Sequence, residues 1–221
     1  MNIGIIGAGH IGGTLTRLLS AQGHTIKVAN SRAPETLAEL AAETGAIAVW
    51  AKDAAVDADL VIVSIPQKNV VDLAPGIVQT AKPGAPVIET NNYYPQQRDG
   101  RIEAIEQGMP ESVWVSEQLG VPVLKAFNGI FWKHLLENGK PRGAAGRIAL
   151  PVAGDDPKSK QIVFDFIDTL GFDPVDGGAL AESWRQQPGT PVYGSDLDSE
   201  AAIHALSEAS PERSEAFRAK P

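Results

Sequence analysis

The sequence contains no cysteine in 221 residues, which removes disulfides, thiolate metal sites and cysteine nucleophiles from consideration. It also lacks a basic surplus: 19 Lys and Arg stand against 27 Asp and Glu, a formal net charge of −8. Nucleic acids and anionic membrane surfaces both reward basic proteins, so neither is expected as a partner. No apolar run approaches the ~20 residues of a membrane span. An apolar strand pattern starts at the second residue and leaves no room for a secretory leader, so cytoplasm is the expected location. His10, His24, His134 and His204 share no metal-ligand spacing, and no metal site is expected. No GxSxG elbow and no internal repeat occur. What is left, 43% hydrophobic and 21% charged, is ordinary for a globular chain of one large domain with a small appendage.

The chain is organised around its beginning, NIGIIGAGHIGGTLTRLLS from Asn2 to Ser20. Ile3, Ile5 and Ile6 form a short strand that runs into Gly7, Gly9 and Gly12, after which a helical pattern begins. Such a strand, glycine turn and helix suits the pyrophosphate of a dinucleotide. The first glycine permits the tight turn, the second lets backbone approach the phosphates, and the third lets the helix pack on the strand. Free N–H groups and the positive end of the helix dipole face the anion. No Lys-Ser/Thr pair follows the glycines, so the turn is not an ATP-binding loop. His10 and Ile11 lie in the turn; His10 is either an exposed loop residue or a contact to phosphate or to the nicotinamide side.

A second strand, Thr25 to Ala29, ends at Asn30-Ser31-Arg32. An acid at this place would bind both ribose hydroxyls and repel a 2′-phosphate. A hydroxyl and a guanidinium suit the extra phosphate of NADP, since charge-assisted bonds to phosphate are strong. Asn-Ser-Arg is also good turn chemistry.

Strands and helices then alternate, which predicts a doubly wound, mostly parallel sheet of α/β class with extra C-terminal strands. Pro34 opens a helix ended by Gly45. A brief strand spans Ile47 to Val49, and a central buried one spans Leu60 to Ile65. Its carboxyl end, Ile65-Pro66, should lie beside the cofactor. Val70 to Thr80 reads as a helix interrupted by Pro75 and Gly76, and Arg98 to Gly108 as an excursion with little core of its own. The strand Pro86 to Glu89 leads into Thr90-Asn91-Asn92-Tyr93-Tyr94-Pro95, and the strand Val121 to Phe127 leads into Asn128-Gly129-Ile130. These two loops, at adjacent carboxyl strand ends, are candidates for the substrate side. Further strands at Ile148 to Ala153 and Asp173 to Asp176 flank a helix that Asp156 can cap. The expected division is a Rossmann domain with an extended sheet over 1–178, then a lid or dimerisation segment and tail over 179–221. The polar stretch Ser183 to Gly194 reads as a lid or a surface wrap, and Pro211 to Pro221 as a mobile tail.

No acid–base pair of fixed spacing appears, so no catalytic residue is assigned. Hydride transfer between two bound rings needs none: it needs two carbons held together in a dry pocket. An imine or carbonyl reductase would want a proton donor, and Tyr93, Tyr94, Lys125 and Tyr193 are available. A non-catalytic NADP sensor is a third reading of the same residues.

The motifs GAGHIGG (Gly7 to Gly13), ANSR (Ala29 to Arg32), SIP (Ser64 to Pro66), KAFNGI (Lys125 to Ile130) and LPVAGDD (Leu150 to Asp156) resemble the coenzyme F-420-dependent NADP oxidoreductases and their bacterial relatives. The resemblance covers most of the chain to about Gly178. It implies reversible hydride transfer between NADP and a deazaflavin in a homodimer. It would place the 2′-phosphate on Ser31 and Arg32, the pyrophosphate on Gly9 to Ile11, and the nicotinamide near Ile65 and Pro66. Archaeal members carry a His where this chain has Asn128. The Lys-Ala-Phe-Asn form, with Asn91-Asn92, is also similar to the reductase domain of the Steap metalloreductases, which passes hydride from NADPH to an ordinary flavin such as FMN or FAD. The cofactor-side residues are therefore Gly7, Gly9, His10, Ile11, Gly12, Asn30, Ser31, Arg32, Ile65, Pro66, Asn91, Asn92, Asn128 and Ile130.

Overall fold

A computed structural model describes residues 1–220. The strands β1 (Asn2–Ile6), β2 (Thr25–Ala29), β3 (Ile47–Ala48), β4 (Leu60–Val63), β5 (Val87–Glu89) and β6 (Leu124–Lys125) form one parallel sheet in the order β3-β2-β1-β4-β5-β6. This is the doubly wound Rossmann arrangement, whose strand order reverses between β1 and β4 and opens a crevice at their carboxyl ends. Helices α1 (His10–Ala21), α2 (Ala38–Thr44), α3 (Ala51–Ala54), α4 (Glu103–Glu106), α5 (Glu111–Leu119) and α6 (Trp132–Glu137) accompany it.

Period-2 alternation makes the two faces. Ile3, Ile5, Leu60 and Ile62 point to one core with Leu15 and Leu19 of α1, while Ile6, Val61 and Val63 point to a second with Val115 and Leu119 of α5. Strands buried on both faces carry continuous apolar runs, which is why LVIV reads as it does. Gly4 lets α3 sit directly on β1, since a Cβ there would lie 2.3 Å from the Ala54 carbonyl oxygen.

The C-terminal strands do not extend this sheet. β7 (Ala149–Val152) and β8 (Asp173–Asp176) pair in parallel as a separate two-stranded sheet around α7 (Pro157–Thr169), tied to β6 by one antiparallel bridge, Lys125 to Ala153. Asp156 caps α7 as its side chain suggests, Oδ2 accepting from the Ser159 N–H at 2.9 Å. A last helix, α8 (Ser199–Ser207), starts at the Asp198 cap and packs on β7 and β8.

Three further expectations are corrected. The 70–80 stretch forms no α-helix but two short 3-10 turns, Gln67–Asp72 and Val78–Thr80. Leu73 is extended before Ala74-Pro75, and Gly76 takes a positive φ of 77°, so the ladder cannot propagate. The 98–108 excursion does have a core: Ile105 is buried with Tyr93 and Trp114. The 211–220 tail is docked rather than loose. The Glu215 and Arg218 carbonyls accept from Gln96 Nε2 at 2.8 and 2.9 Å, and Phe217 packs on Tyr94.

Candidate functional site

The crevice at the carboxyl ends of β1, β2 and β4 is a cleft of about 630 Å³, within the usual range of ligand sites. Gly7, Ala8 and Gly9 line it, with Asn30, Ser31 and Arg32 on one side and Ser64, Ile65 and Pro66 on the other. Thus the glycine turn, the end of β2 and the end of β4 meet as the motif spacing suggests.

Each glycine has a distinct reason. At Gly7, with φ 111°, a Cβ would lie 2.0 Å from the Ser64 carbonyl oxygen. At Gly12 it would lie 1.9 Å from the Gly7 carbonyl oxygen, where α1 presses on the turn. At Gly9 it would meet nothing within 4 Å, so this position is free of protein and open to the cleft. Gly9 is the N-cap of α1, no side chain caps that end, and its first turn carries no acid. The unpaired N–H groups and the dipole therefore present an anion site with nothing of the chain's own filling it.

At the end of β2, Asn30 shapes the turn: its Oδ1 accepts from the Arg32 N–H at 2.8 Å and its Nδ2 donates to Thr36 Oγ1 at 3.0 Å. This Asx turn leaves Ser31 and Arg32 exposed at the cleft. The Arg32 guanidinium makes no hydrogen bond or ion pair among the described residues, unlike Arg17, which is clamped by Glu43 at 2.7 Å. His10 stacks on Trp132, ring centroids 5.0 Å apart and 9° from parallel. Ile11 lies half-buried in the first turn of α1.

The other sequence-derived residues lie on the far side of Ile65. Asn91 Oδ1 accepts from the Ile65 N–H at 3.1 Å, so Asn91 holds the Ile65-Pro66 wall from behind. Asn92 and Asn128 come together through two bonds: Asn92 Nδ2 to the Asn128 carbonyl at 2.9 Å, and Asn128 Nδ2 to Asn92 Oδ1 at 3.1 Å. Asn128 Nδ2 also donates to the Gln186 carbonyl at 2.7 Å, and Asn128 Oδ1 accepts from Gln186 Nε2 at 3.1 Å. Ile130 is buried in the first core. These side chains fasten the loops and the 3-10 turn Leu180–Gln186 to one another, and none of the three amides lines the cleft.

Sequence reasoning missed a buried charge cluster beneath those loops. Lys125 Nζ lies 3.0 Å from Glu89 Oε1, 2.9 Å from the Asn91 carbonyl and 3.9 Å from Glu111 Oε2. Glu111 in turn accepts from Arg213 at 2.6 Å, and all three of Lys125, Glu89 and Glu111 are buried. Burial pushes the Glu111 carboxyl up, against the pull of Lys125 and then Arg213. Strong partners are what keep such a cluster in the fold. Nearby, Tyr93 donates to Glu106 at 2.9 Å and its hydroxyl is pushed up to about 12, chiefly by burial. Tyr193, bonded through its hydroxyl to that of Tyr94, is pushed up by burial and then by that bond. Both shifts favour the neutral phenol and make each hydroxyl a weaker acid than a free tyrosine. Trp50, Leu37, Asp72 and Leu73 also line the cleft, and no motif marked them.

A family model described as NADP oxidoreductase, coenzyme F420-dependent, matches residues 2–93. The hypothetical protein SMa0349 of Sinorhizobium meliloti is 32% identical, with a TM-score of 0.74 over 89% of this chain and 95% of that one. The chain belongs to the F420-dependent NADP oxidoreductase family. The Escherichia coli K12 protein YjhV is 45% identical over 69 residues, 31% of this chain and 50% of YjhV, so the match spans half the length of that curated relative. A candidate F420-dependent NADP reductase of Arthrobacter has a TM-score of 0.62 at 19% identity, over 81% of this chain and 86% of that one. An imine reductase of Pseudomonas has a TM-score of 0.56 at 16% identity, over 93% of this chain and 60% of that one. The last two establish the shared fold only. No helix of the described residues is long and apolar enough to cross a membrane, and no cluster of metal-binding side chains occurs among them.

Proposed function

We propose that this protein transfers a hydride between NADP(H) and a second ring-shaped redox coenzyme, a deazaflavin of the F-420 type or a flavin such as FMN or FAD. The observation that carries the cofactor half is the partnerless Arg32 guanidinium beside Ser31, in the same cleft as the open face of Gly9. Gly9 to Ile11 would hold the pyrophosphate, Ser31 and Arg32 the 2′-phosphate, and Ile65 and Pro66 would back the nicotinamide. The bound dinucleotide supplies the hydride; the chain binds, orients and keeps water away. Asn91, Asn92, Asn128 and Ile130 act here by holding the walls rather than by touching the dinucleotide. The 179–220 segment, fixed to Asn128 through Gln186 and to Glu111 through Arg213, would cap the acceptor end and contribute to a homodimer. Mixing protein and NADPH with F-420, FMN or FAD and following loss of reduced-nicotinamide absorbance tests the proposal. Turnover with one acceptor supports it, and none with all three sinks it.

A second reading, imine or carbonyl reduction, is favoured by the Tyr94–Tyr193 hydroxyl contact, since a phenol pair joining the loop after β5 to the C-terminal segment would be placed to supply the proton such a reaction needs. It predicts turnover of small imines or ketones that collapses in Tyr193→Phe. Unchanged turnover in that variant refutes it.

A further inference from the structure

The chain's four tryptophans have different fates. Trp114 is buried in the second core, Trp132 is covered by His10, and Arg185 lies over Trp184 at 4.9 Å. Trp50 is 53% exposed and has no ring or cation partner among the described residues. A single exposed apolar side chain is unremarkable. Trp50 differs in where it stands, because it lines the same cleft as Arg32 and the glycine turn.

Its backbone is pinned on both sides. The Val49 N–H donates to the Val28 carbonyl of β2 at 3.0 Å, and the Trp50 carbonyl accepts from the Asp53 N–H at 2.9 Å to open α3. The indole is therefore carried by a fixed edge of the sheet rather than by a loose loop. The cleft wall also includes Leu73, an apolar surface, and Asp72, whose carboxylate accepts from Asn69 Nδ2 at 3.1 Å and is turned by it. An indole, a leucine and an oriented carboxylate at one end of an anion cleft match a flat heteroaromatic ring that carries an exocyclic amine.

We propose that Trp50 is the platform on which the adenine of NADP(H) stacks, with the Asp72 carboxylate placed to accept from its 6-amino group. The inference rests on the NADP reading of the cleft and adds to it the residue that reads the base. Every purine has a π-face, so the indole supplies affinity. The carboxylate supplies the preference, because guanine presents a carbonyl where adenine presents the amine.

The test uses 2′,5′-ADP, which carries adenine, ribose and the 2′-phosphate but no nicotinamide. It is titrated into wild type, Trp50→Leu and Trp50→Phe, reading calorimetric heats and tryptophan emission, with melting temperature as the fold control. In wild type the ligand should quench emission, and the quench should vanish in both variants. Affinity should fall about tenfold in Trp50→Leu and recover in part in Trp50→Phe. Unchanged affinity in Trp50→Leu, or a quench that survives it, overturns the platform while leaving the NADP reading intact. Failure of 2′,5′-ADP to bind wild type overturns both. A drop in affinity equal in Leu and Phe variants also counts against stacking.

Discussion

The carboxyl end of the sheet carries two halves made by opposite means. Around β1, β2 and β4 the cleft is walled by backbone and by side chains left without partners, Gly9 facing open space and Arg32 facing solvent. Around β5, β6 and the C-terminal segment, side chains are committed to one another: Lys125 to Glu89, Glu111 to Arg213, Asn128 to Asn92 and Gln186. An anion site made of N–H groups needs little else from the chain. A wall made of buried charge needs every partner present, and its failure is a failure of folding before it is one of binding.

The sharpest way to break this contrast is Lys125→Met. It leaves Glu89 and Glu111 buried beside a thioether, and losing one member of a buried ion pair costs about 3–5 kcal/mol. Urea unfolding should show that loss, while NADPH affinity of the folded protein changes by less than about threefold, since Lys125 lies outside the cleft. A large fall in affinity would mean the two halves are coupled through Asn91, which touches both Lys125 and Ile65.

Legibility in the sequence follows the same division. The glycine turn, the strand β2 and the turn Asn30-Ser31-Arg32 are local features, and their residues meet across the short spans that motifs describe. Strand parity in Ile3, Ile5 and Ile6 is equally local, and in the structure it divides the two cores. The charge cluster joins residues 36 and 102 positions apart, Glu89 to Lys125 and Glu111 to Arg213, and no periodicity announces such pairs. The docked tail was illegible for that reason too: Pro-Glu-Arg-Ser is tail-like in composition, and distant partners, the buried Glu111 and Gln187, make Arg213 an anchor. Trp50 was missed because β3 is two residues long, too short to mark its carboxyl end as a cleft wall.

On the cofactor side, Arg32→Ala should weaken NADPH by about tenfold to a hundredfold, the range of a lost charge-assisted contact, and leave NADH nearly unchanged. Titration of both nucleotides checks it. Equal weakening would refute the 2′-phosphate assignment.

Gly9→Ala should lower NADPH affinity by roughly tenfold. Because a Cβ there meets no protein atom, the melting temperature should stay put. Gly12→Ala is its counterpart, with the Cβ 1.9 Å from a carbonyl oxygen, and should fail as a folding defect. If Gly9→Ala also melted early, the turn would be as rigidly packed as the charge cluster, and the contrast between the halves would weaken.

The smallest effect is expected at Asn30. Its amide touches Arg32 and Thr36 within the turn, so Asn30→Ala removes the presentation of the guanidinium and not the guanidinium itself. A lost neutral hydrogen bond is worth about 1 kcal/mol, so NADPH affinity should fall no more than about fivefold. Because Asn30 acts through Arg32, the variant should leave NADH binding alone, and Asn30→Ala combined with Arg32→Ala should be no worse than Arg32→Ala. Residues that work as a unit are not additive in this way by accident. Additive losses in the double variant, or an equal loss for NADH, would place the Asn30 amide on the ribose itself and make it a direct contact of the cleft.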